Sequence, residues 1–173
     1  MTRTKLLALG AAVLGAAGIG AVGVSVATAT PPDEIQAAKA VSARYHSIAQ
    51  AEAAGYVLGS ECTASPAGGM GFHYANPALL ADDTLDPLRP EILVYAPKGN
   101  GKLELVAIEY WKRDADGQLG TSGDRPTLLG RPFDGPMPGH SPVMPVHYDL
   151  HVWLYESNSN GLFAQWNPSV SCD

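Results

Sequence analysis

The sequence predicts an α+β domain, a mostly antiparallel β-sheet or partly closed barrel with one N-terminal amphipathic helix. Apolar and polar residues alternate strictly over residues 146–155, which is typical of a strand with one face in a core. Residues 91–96 and 102–112 are apolar runs separated by a Pro/Gly turn, and this arrangement predicts a β-hairpin. Apolar residues recur at helical spacing over residues 30–55.

The N-terminal segment has the features of a secretory signal peptide. Arg3 and Lys5 precede an uncharged apolar run, and Ala27-Thr28-Ala29 forms a small-x-small cleavage site. We therefore predict a signal peptide over residues 1–29 and a single domain over residues 30–173 that is secreted or held in the cell envelope. An uncleaved transmembrane anchor is the alternative, because the apolar run is about as long as a membrane-spanning helix.

The charge balance limits the classes of partner. The chain has 11 Lys and Arg against 17 Asp and Glu, a formal net charge of −6, which becomes −8 when the signal peptide takes Arg3 and Lys5 with it. An acidic surface disfavours nucleic acid and anionic membranes. We therefore expect no nucleic-acid partner and, after cleavage, no membrane partner. A small molecule or a metal is the expected ligand.

Cys62 and Cys172 are the two cysteines of the sequence. An even number in an exported chain favours a disulfide bond, because such bonds persist in oxidising compartments. Two unpaired buried thiols are the alternative. The bond would tie the C-terminal tail to the segment that follows the first helix.

The remaining elements follow in chain order. Thr30 is a candidate N-cap with Asp33 three residues later, and Gly55 is a candidate left-handed cap that ends the helix. Residues 60–71 are rich in small residues and predict a flexible loop. Residues 72–75 predict a short strand, and residues 161–166 predict another strand or one helical turn.

Residues 121–145 form a long segment rich in proline and glycine. Irregular segments of this length inside a compact domain are usually functional or disordered. Because prolines restrict the backbone, we expect an ordered cover over the domain. The segment leads directly into the alternating run at residues 146–155.

The polar face of that run carries the candidate site. His147, Asp149 and His151 share it, Glu109 lies among apolar neighbours on another predicted strand, and His73 lies on a third. Imidazole and carboxylate groups are ligands for zinc, copper, iron or manganese, so a divalent transition metal is the candidate cofactor. Residues i and i+4 of a strand are ~13.5 Å apart, so His147 and His151 are not expected to share one ion.

Other interpretations use the same residues. Asp149 could orient a histidine as a general base, but the sequence has no Gly-x-Ser-x-Gly nucleophile motif. Trp153 and Tyr155 share the polar face and could line a ligand pocket. The polar residues could also form a purely structural hydrogen-bond network.

The chain resembles a group of uncharacterised exported bacterial proteins over nearly all of residues 30–173. The resemblance implies export and carries no activity. Three functions therefore stay open: a secreted binding protein with a His/Asp/Glu-lined pocket, a small metal-dependent oxygenase or hydrolase with the Pro/Gly segment as a lid, and a structural cell-envelope interaction domain. The residues that carry the resemblance are 54–56, 70–74, 76–77, 90–95, 109–110, 132–140, 147–153 and 166–168.

Overall fold

A computed structural model describes residues 30–99, 101–140 and 143–172, so the predicted signal peptide lies outside the described residues. The described part contains three α-helices, α1 (Pro31–Ser42), α2 (Ile48–Ala53) and α3 (Pro77–Asp82). Its strands are β1 (Val57–Ser65), β2 (Gly68–Ala75), β3 (Ile92–Pro97), β4 (Leu103–Arg113), β5 (Thr127–Leu128), β6 (Arg131–Pro132), β7 (Asp134–Met137) and β8 (His147–Val152).

Six of these strands form one antiparallel sheet in the order β1-β2-β3-β4-β8-β7. The sheet is curled into a half-barrel, which agrees with the mostly antiparallel architecture expected from the sequence. Strands β5 and β6 form a separate two-stranded sheet. The predicted hairpin is the β3–β4 pair, and β8 lies beside β4, although more than thirty residues separate them in the sequence.

The predicted long helix is divided in the structure. Thr30 Oγ1 donates to Asp33 Oδ2 at 2.5 Å at the start of α1, and a 3₁₀ turn, Ala43–His46, separates α1 from α2. Tyrosines of the sheet region supply the reason: Tyr95 OH donates to Tyr45 O at 2.5 Å, and Tyr155 OH donates to Lys39 O at 2.6 Å. These hydroxyls satisfy carbonyls where the helix ends, so tertiary contacts override the helical pattern.

The two faces of the six-stranded sheet have different contents. We call one the helix face, where the helices pack against a buried cluster that includes Leu93, Tyr95, Tyr110, Tyr148 and Leu150. The opposite face, which we call the site face, has a second buried cluster of Ile92, Val94, Ala96, Val106, Ala107, Trp111, Trp153 and Val170. All residues of β8 are buried because both faces of this strand are covered.

The predicted flexible loop at residues 60–71 is wrong, because most of this segment belongs to the β1–β2 hairpin. Its glycines allow close approach of neighbouring backbone. A Cβ on Gly71, whose φ is +112°, would lie 2.3 Å from Tyr95 O, and a Cβ on Gly69 would lie 2.7 Å from Val170 O. The small residues therefore serve packing of β2 against β3 and the C-terminal segment.

A bulge interrupts the regular alternation of side chains in β4. Val94 pairs with Ala107 and Tyr95 pairs with Leu105, so Val106 is the extra residue. Leu105 consequently joins the helix-face cluster instead of sharing a face with Ala107 and Glu109. Strand β8 ends at Val152, and residues 161–166 form turns instead of a strand, although Trp153 N donates to Leu162 O at 2.9 Å.

The C-terminal segment covers part of the site face. Cys62 and Cys172 form the predicted disulfide, with a Cα–Cα distance of 5.7 Å. Gly69 N donates to Asn167 O and to Val170 O, and Asn167 N donates to Gly69 O. Among the described residues, no helix is long and apolar enough to cross a membrane.

Candidate metal centre

Three side chains from separate strands converge on the site face. His73 lies on β2, Glu109 on β4 and His151 on β8, and one ligand atom of each lies within 4.8 Å of the others. Nε2 of His73 and Nε2 of His151 each lie 3.3 Å from Glu109 Oε2. The structure therefore brings together three of the five residues that the sequence indicated as metal ligands.

The register and the curl of the sheet explain this convergence. Glu109 pairs directly with His151 across the β4–β8 ladder, so their side chains leave the sheet on the same face. His73 is further away in the sheet, because β3 lies between β2 and β4. Three strand spacings would separate His73 and His151 by ~14 Å in a flat sheet. Their ring centroids are 5.9 Å apart.

The spacing of the three side chains matches a metal-binding geometry. A tetrahedral zinc ion with ligand bonds of ~2.0–2.1 Å has ligand atoms ~3.3 Å from one another. The two Nε2–Oε2 distances are both 3.3 Å. Two imidazoles and one carboxylate form the ligand set of some catalytic zinc sites and of non-haem iron sites.

A hydrogen bond orients the imidazole of His73. Ser60 Oγ lies 3.0 Å from His73 Nδ1 and donates its single proton to Glu61 O at 3.1 Å. When Ser60 donates to Glu61 O, Nδ1–H of His73 is the donor to Ser60, and Nε2 then presents a lone pair to the side of Glu109. Such a contact between a backbone-anchored hydroxyl and the distal nitrogen is typical of metal-ligating histidines.

The atoms that face one another at the centre lack hydrogen-bond partners. Glu109 Oε2 and both ring nitrogens of His151 are buried and unpartnered in the described part of the chain. Glu109 and His151 are 4% and 1% exposed, so solvent does not replace the missing partners. Buried polar groups of this kind are rare and need an explanation, and a bound cation is one.

The ionisation of the centre favours a cation. Burial raises the pKa of Glu109, but attraction to the imidazolium forms of His151 and His73 outweighs burial and holds that pKa below its usual range. Burial lowers the pKa of His151, so this imidazole is neutral at neutral pH. A metal cation at this position would supply the positive charge that the imidazolium forms otherwise supply, so that Glu109 could stay ionised beside neutral imidazoles.

Asp149 lies behind His151 in the same strand. Its Oδ1 is 4.0 Å from His151 Nδ1, and both of its carboxyl oxygens are buried without partners. Burial, reinforced by the negative charge of Glu109, raises the pKa of Asp149 well above its usual value. Asp149 therefore faces the nitrogen of His151 that points away from Glu109.

His147 is not part of the three-residue centre. Its ring stacks on Trp111 with centroids 5.7 Å apart, its Nδ1 lies 3.0 Å from Pro145 O, and its Nε2 is buried without a partner. The ring of His140 lies edge-on to it at 5.1 Å. The sequence estimate that His147 and His151 are too far apart to share an ion agrees with this placement.

Trp153 and Tyr155 lie in different parts of the structure, Trp153 beside His151 and Tyr155 with the helix-face cluster. Trp153 stacks on His151 with centroids 6.4 Å apart, and its indole N–H donates to Ala164 O at 2.6 Å. Tyr155 follows the end of β8 and packs with the helix-face cluster, where its hydroxyl bonds to α1. Among the described residues, Trp111 and Trp166 line the neighbouring cavity instead.

A cavity of about 860 Å³ adjoins the centre. His73 and Glu109 line it, Ile92, Trp111 and Trp166 contribute apolar walls, and the end of the Pro/Gly segment contributes His140 and residues 143–145. This volume suits an organic ligand. A metal held by three protein side chains would retain a coordination position for such a ligand.

Two residues of the site region were missed from the sequence. Ser60 lies in the stretch that was interpreted as a loop, so its pairing with His73 across the β1–β2 hairpin was not foreseen. His140 lies in the Pro/Gly segment, and its only signal was the proximity of that segment to the strand that carries His147. Neither residue belongs to a recognisable motif.

Comparison with known proteins gives no relative from which a function could be transferred. No family model, no curated protein and no solved structure matches the chain at a significant level. The functional inference therefore depends on the residues of the candidate metal centre and on the cavity beside it.

Proposed function

We propose that the protein binds one divalent transition metal ion through His73, Glu109 and His151 and offers its remaining coordination position to a small ligand in the adjacent cavity. Zinc is a suitable ion, because the two Nε2–Oε2 distances of 3.3 Å match tetrahedral geometry. The observation that carries the proposal is the presence of buried, unpartnered acceptor atoms that face one another. Two lone pairs in contact repel unless a cation or a proton lies between them.

Asp149 supports the proposal as an outer partner of the metal ligand His151. When Nε2 of an imidazole binds a metal, its Nδ1 carries the proton and usually donates to a carboxylate or carbonyl. Asp149 Oδ1 is the group that faces Nδ1, at 4.0 Å. A small closing movement would convert this contact into a hydrogen bond.

The predicted signal peptide and the disulfide support the proposal that the binding protein works outside the cytoplasm. A bond between Cys62 and Cys172 persists where the surroundings are oxidising. Export through residues 1–29 would place the metal centre in the cell envelope or in the surrounding medium.

Metal titration of the purified protein tests the proposal. We expect about one equivalent of zinc in the wild type by elemental analysis and competition with a chromophoric chelator. His151→Ala should weaken zinc binding by more than about a hundredfold, because removal of a ligand costs more than removal of an outer partner. His46→Ala is the matched control, because His46 is exposed and lies on the 3₁₀ turn beside α1.

The outcomes separate a binding site from a structural network. Equal zinc affinity in the wild type and His151→Ala, or no affinity in either, would reject the metal centre. A structural network of polar residues would then be the remaining interpretation, and His151→Ala would lower only the melting temperature. Circular dichroism of each variant shows whether the fold is retained.

A second candidate function is a metal-dependent hydrolase or oxygenase. The observation that favours it is the combination of two histidines and one carboxylate with a cavity large enough for an organic substrate. Hydrolysis of activated esters by the zinc form, or oxygen consumption by the iron form, would support it. Loss of that activity in His151→Ala and its retention in His46→Ala would assign it to the centre.

A further inference from the structure

Arg113, the last residue of β4, is a cation whose side chain lines the cavity. The side chain is exposed, and in the described part of the chain no carboxylate pairs with it. The neighbouring Lys112, by contrast, forms an ion pair with Asp83 at 2.6 Å. The guanidinium of Arg113 is therefore available to an anion inside the cavity.

The position of Arg113 relative to the metal centre is set by strand β4. Glu109, Trp111 and Arg113 alternate along one face of this strand, and all three line the cavity. Residues four apart on a strand are separated by ~13 Å. A ligand that contacts both the metal centre and the guanidinium must therefore be elongated and must pass the indole of Trp111.

The walls between the two ends are mainly apolar. Besides Trp111, the lining includes Met70, Leu80, Ile92 and Trp166. Such a surface favours a hydrocarbon or aromatic ligand body, because its burial removes apolar area from water. The other fully charged group at the rim is Glu61, an exposed residue of β1. An anionic group on the ligand is consequently attracted to the Arg113 side of the rim and repelled from the Glu61 side.

We propose that the cavity takes an elongated organic acid with an apolar body, whose metal-coordinating head lies at His73, Glu109 and His151 and whose terminal carboxylate pairs with Arg113. This proposal rests on the proposed metal-binding function, since the head needs the metal. A planar guanidinium donates two parallel N–H hydrogen bonds to a carboxylate. Arg113 is therefore the residue that selects an acidic tail over an apolar one.

Two probes that differ at one end test this selection. Suberic acid monohydroxamate and octanohydroxamate share the same metal-binding head and a similar chain, but the first ends in a carboxylate and the second in a methyl group. Isothermal titration of the zinc-loaded wild type should show that the acid binds about fivefold more tightly, the factor that one partly exposed ion pair supplies. Arg113→Met should lose or reverse this preference while it keeps affinity for octanohydroxamate and its full zinc content.

Lys112→Met is the matched control. It removes the same charge from the same strand, but strand alternation places Lys112 on the opposite face, so the preference for the acid should remain. Equal preferences in the wild type and Arg113→Met, with both probes bound, would overturn the proposed ligand class and leave the metal centre intact. Zinc binding without binding of either probe would also overturn the ligand class. Absence of zinc binding would overturn the metal centre itself and the ligand class with it.

Discussion

On the helix face of the sheet, the hydroxyls of three buried tyrosines donate hydrogen bonds to backbone carbonyls. Tyr56, Tyr95 and Tyr110 each donate at 2.5–2.7 Å. On the site face, the buried oxygens of Asp149, Oε2 of Glu109 and the ring nitrogens of His151 have no hydrogen-bond partner in the described part of the chain. One sheet thus buries polar groups in two different ways.

The difference separates groups that stabilise the fold from groups that await a ligand. A buried polar group without a partner costs ~1–3 kcal/mol, so a fold rarely retains several together unless something else satisfies them. The tyrosine hydroxyls on the helix face need no ligand, because backbone carbonyls accept their hydrogen bonds. On the site face, Glu109 lines the cavity and its Oε2 lies 3.3 Å from His151 Nε2, so a cation and its ligand can reach these two atoms.

The two faces are also covered by different parts of the chain, and this difference gives the largest predicted change in stability. Helices cover one face, whereas the C-terminal segment on the other is fastened by the Cys62–Cys172 bond, which spans 110 residues. Cys62→Ser with Cys172→Ser should lower the free energy of unfolding by about 5 kcal/mol in the chain-entropy model. Urea denaturation measures the loss.

Hydrogen exchange measures which segments lose stability in the double variant. Amides of the C-terminal segment and of the β1–β2 hairpin should lose protection in the double variant. Amides of α1 should still exchange only through global unfolding of the protein. Uniform loss of protection over both faces would mean that the bond does not fasten one covering selectively. Wild-type protein treated with a reductant is the control for the substitutions.

The second prediction is that substitutions on the two faces change the stability of the metal-free protein in opposite directions. Glu109→Gln should weaken zinc binding by at least about a hundredfold, since a carboxamide is a poor ligand. At mildly alkaline pH, where imidazolium no longer stabilises the carboxylate, the same change should raise the stability of the metal-free protein by about 1 kcal/mol, because the amide N–H can donate to a facing Nε2. Competition titration and urea denaturation in the presence of a chelator measure the two effects.

Tyr95→Phe is the counterpart on the helix face. It leaves Tyr45 O without its donor and should cost about 1–2 kcal/mol of stability with no change in zinc affinity. If Glu109→Gln instead destabilised the metal-free protein as much as Tyr95→Phe does, Glu109 would be a structural residue and the contrast between the faces would fail.

The sequence predicted the polar face of β8 and the unusual position of Glu109, but not which groups meet. Alternation places His147, Asp149 and His151 on one face, and a carboxylate among apolar residues marks Glu109. The choice among the histidines depends on strand order. Glu109 meets His151 because β4 pairs with β8 at that register, a long-range pairing that no local pattern specifies.

The β1–β2 hairpin was missed for a related reason. Its glycines and small residues have low strand propensity, and what favours the strand is the close approach of Tyr95 and Val170 backbone to positions without a Cβ. The division of the predicted helix coincides with a tertiary contact, because the hydroxyl of Tyr95 donates to Tyr45 O in the 3₁₀ turn. Tertiary contacts decided each element that local pattern misjudged.

A third prediction compares the buried Glu91 with the exposed Glu104 of β4. Burial raises the pKa of Glu91 to about 8, while its Oε2 accepts a hydrogen bond from Trp111 N at 3.1 Å. The folded state therefore keeps a proton that the unfolded chain releases near pH 4.5. This contribution to stability is fully present below pH 4.5 and is lost as the pH rises through about 8.

Glu91→Gln should remove this pH dependence and keep the acceptor for Trp111 N. Between pH 5 and pH 7 the stability of the wild type should fall relative to that of the variant by about 2 kcal/mol, which urea denaturation across this range measures. Glu104→Gln, a change at an exposed position of β4, should follow the wild type. Parallel curves for wild type and Glu91→Gln would show that Glu91 is ionised in the folded protein.

The smallest effect is expected at Asp149, which faces a metal ligand without being one. Asp149→Asn should weaken zinc binding by about tenfold, because Nδ1 of His151 would lose a carboxylate acceptor while the three ligands stay in place. Asp134→Asn is the matched control: Asp134 pairs with Asp149 across the β7–β8 ladder but is exposed. Cobalt substitution distinguishes a positioning role from a structural one, since an altered His151 orientation shifts the ligand-field absorption of the bound ion. An unchanged spectrum and affinity in Asp149→Asn would show that the 4.0 Å gap to His151 does not close when the metal binds.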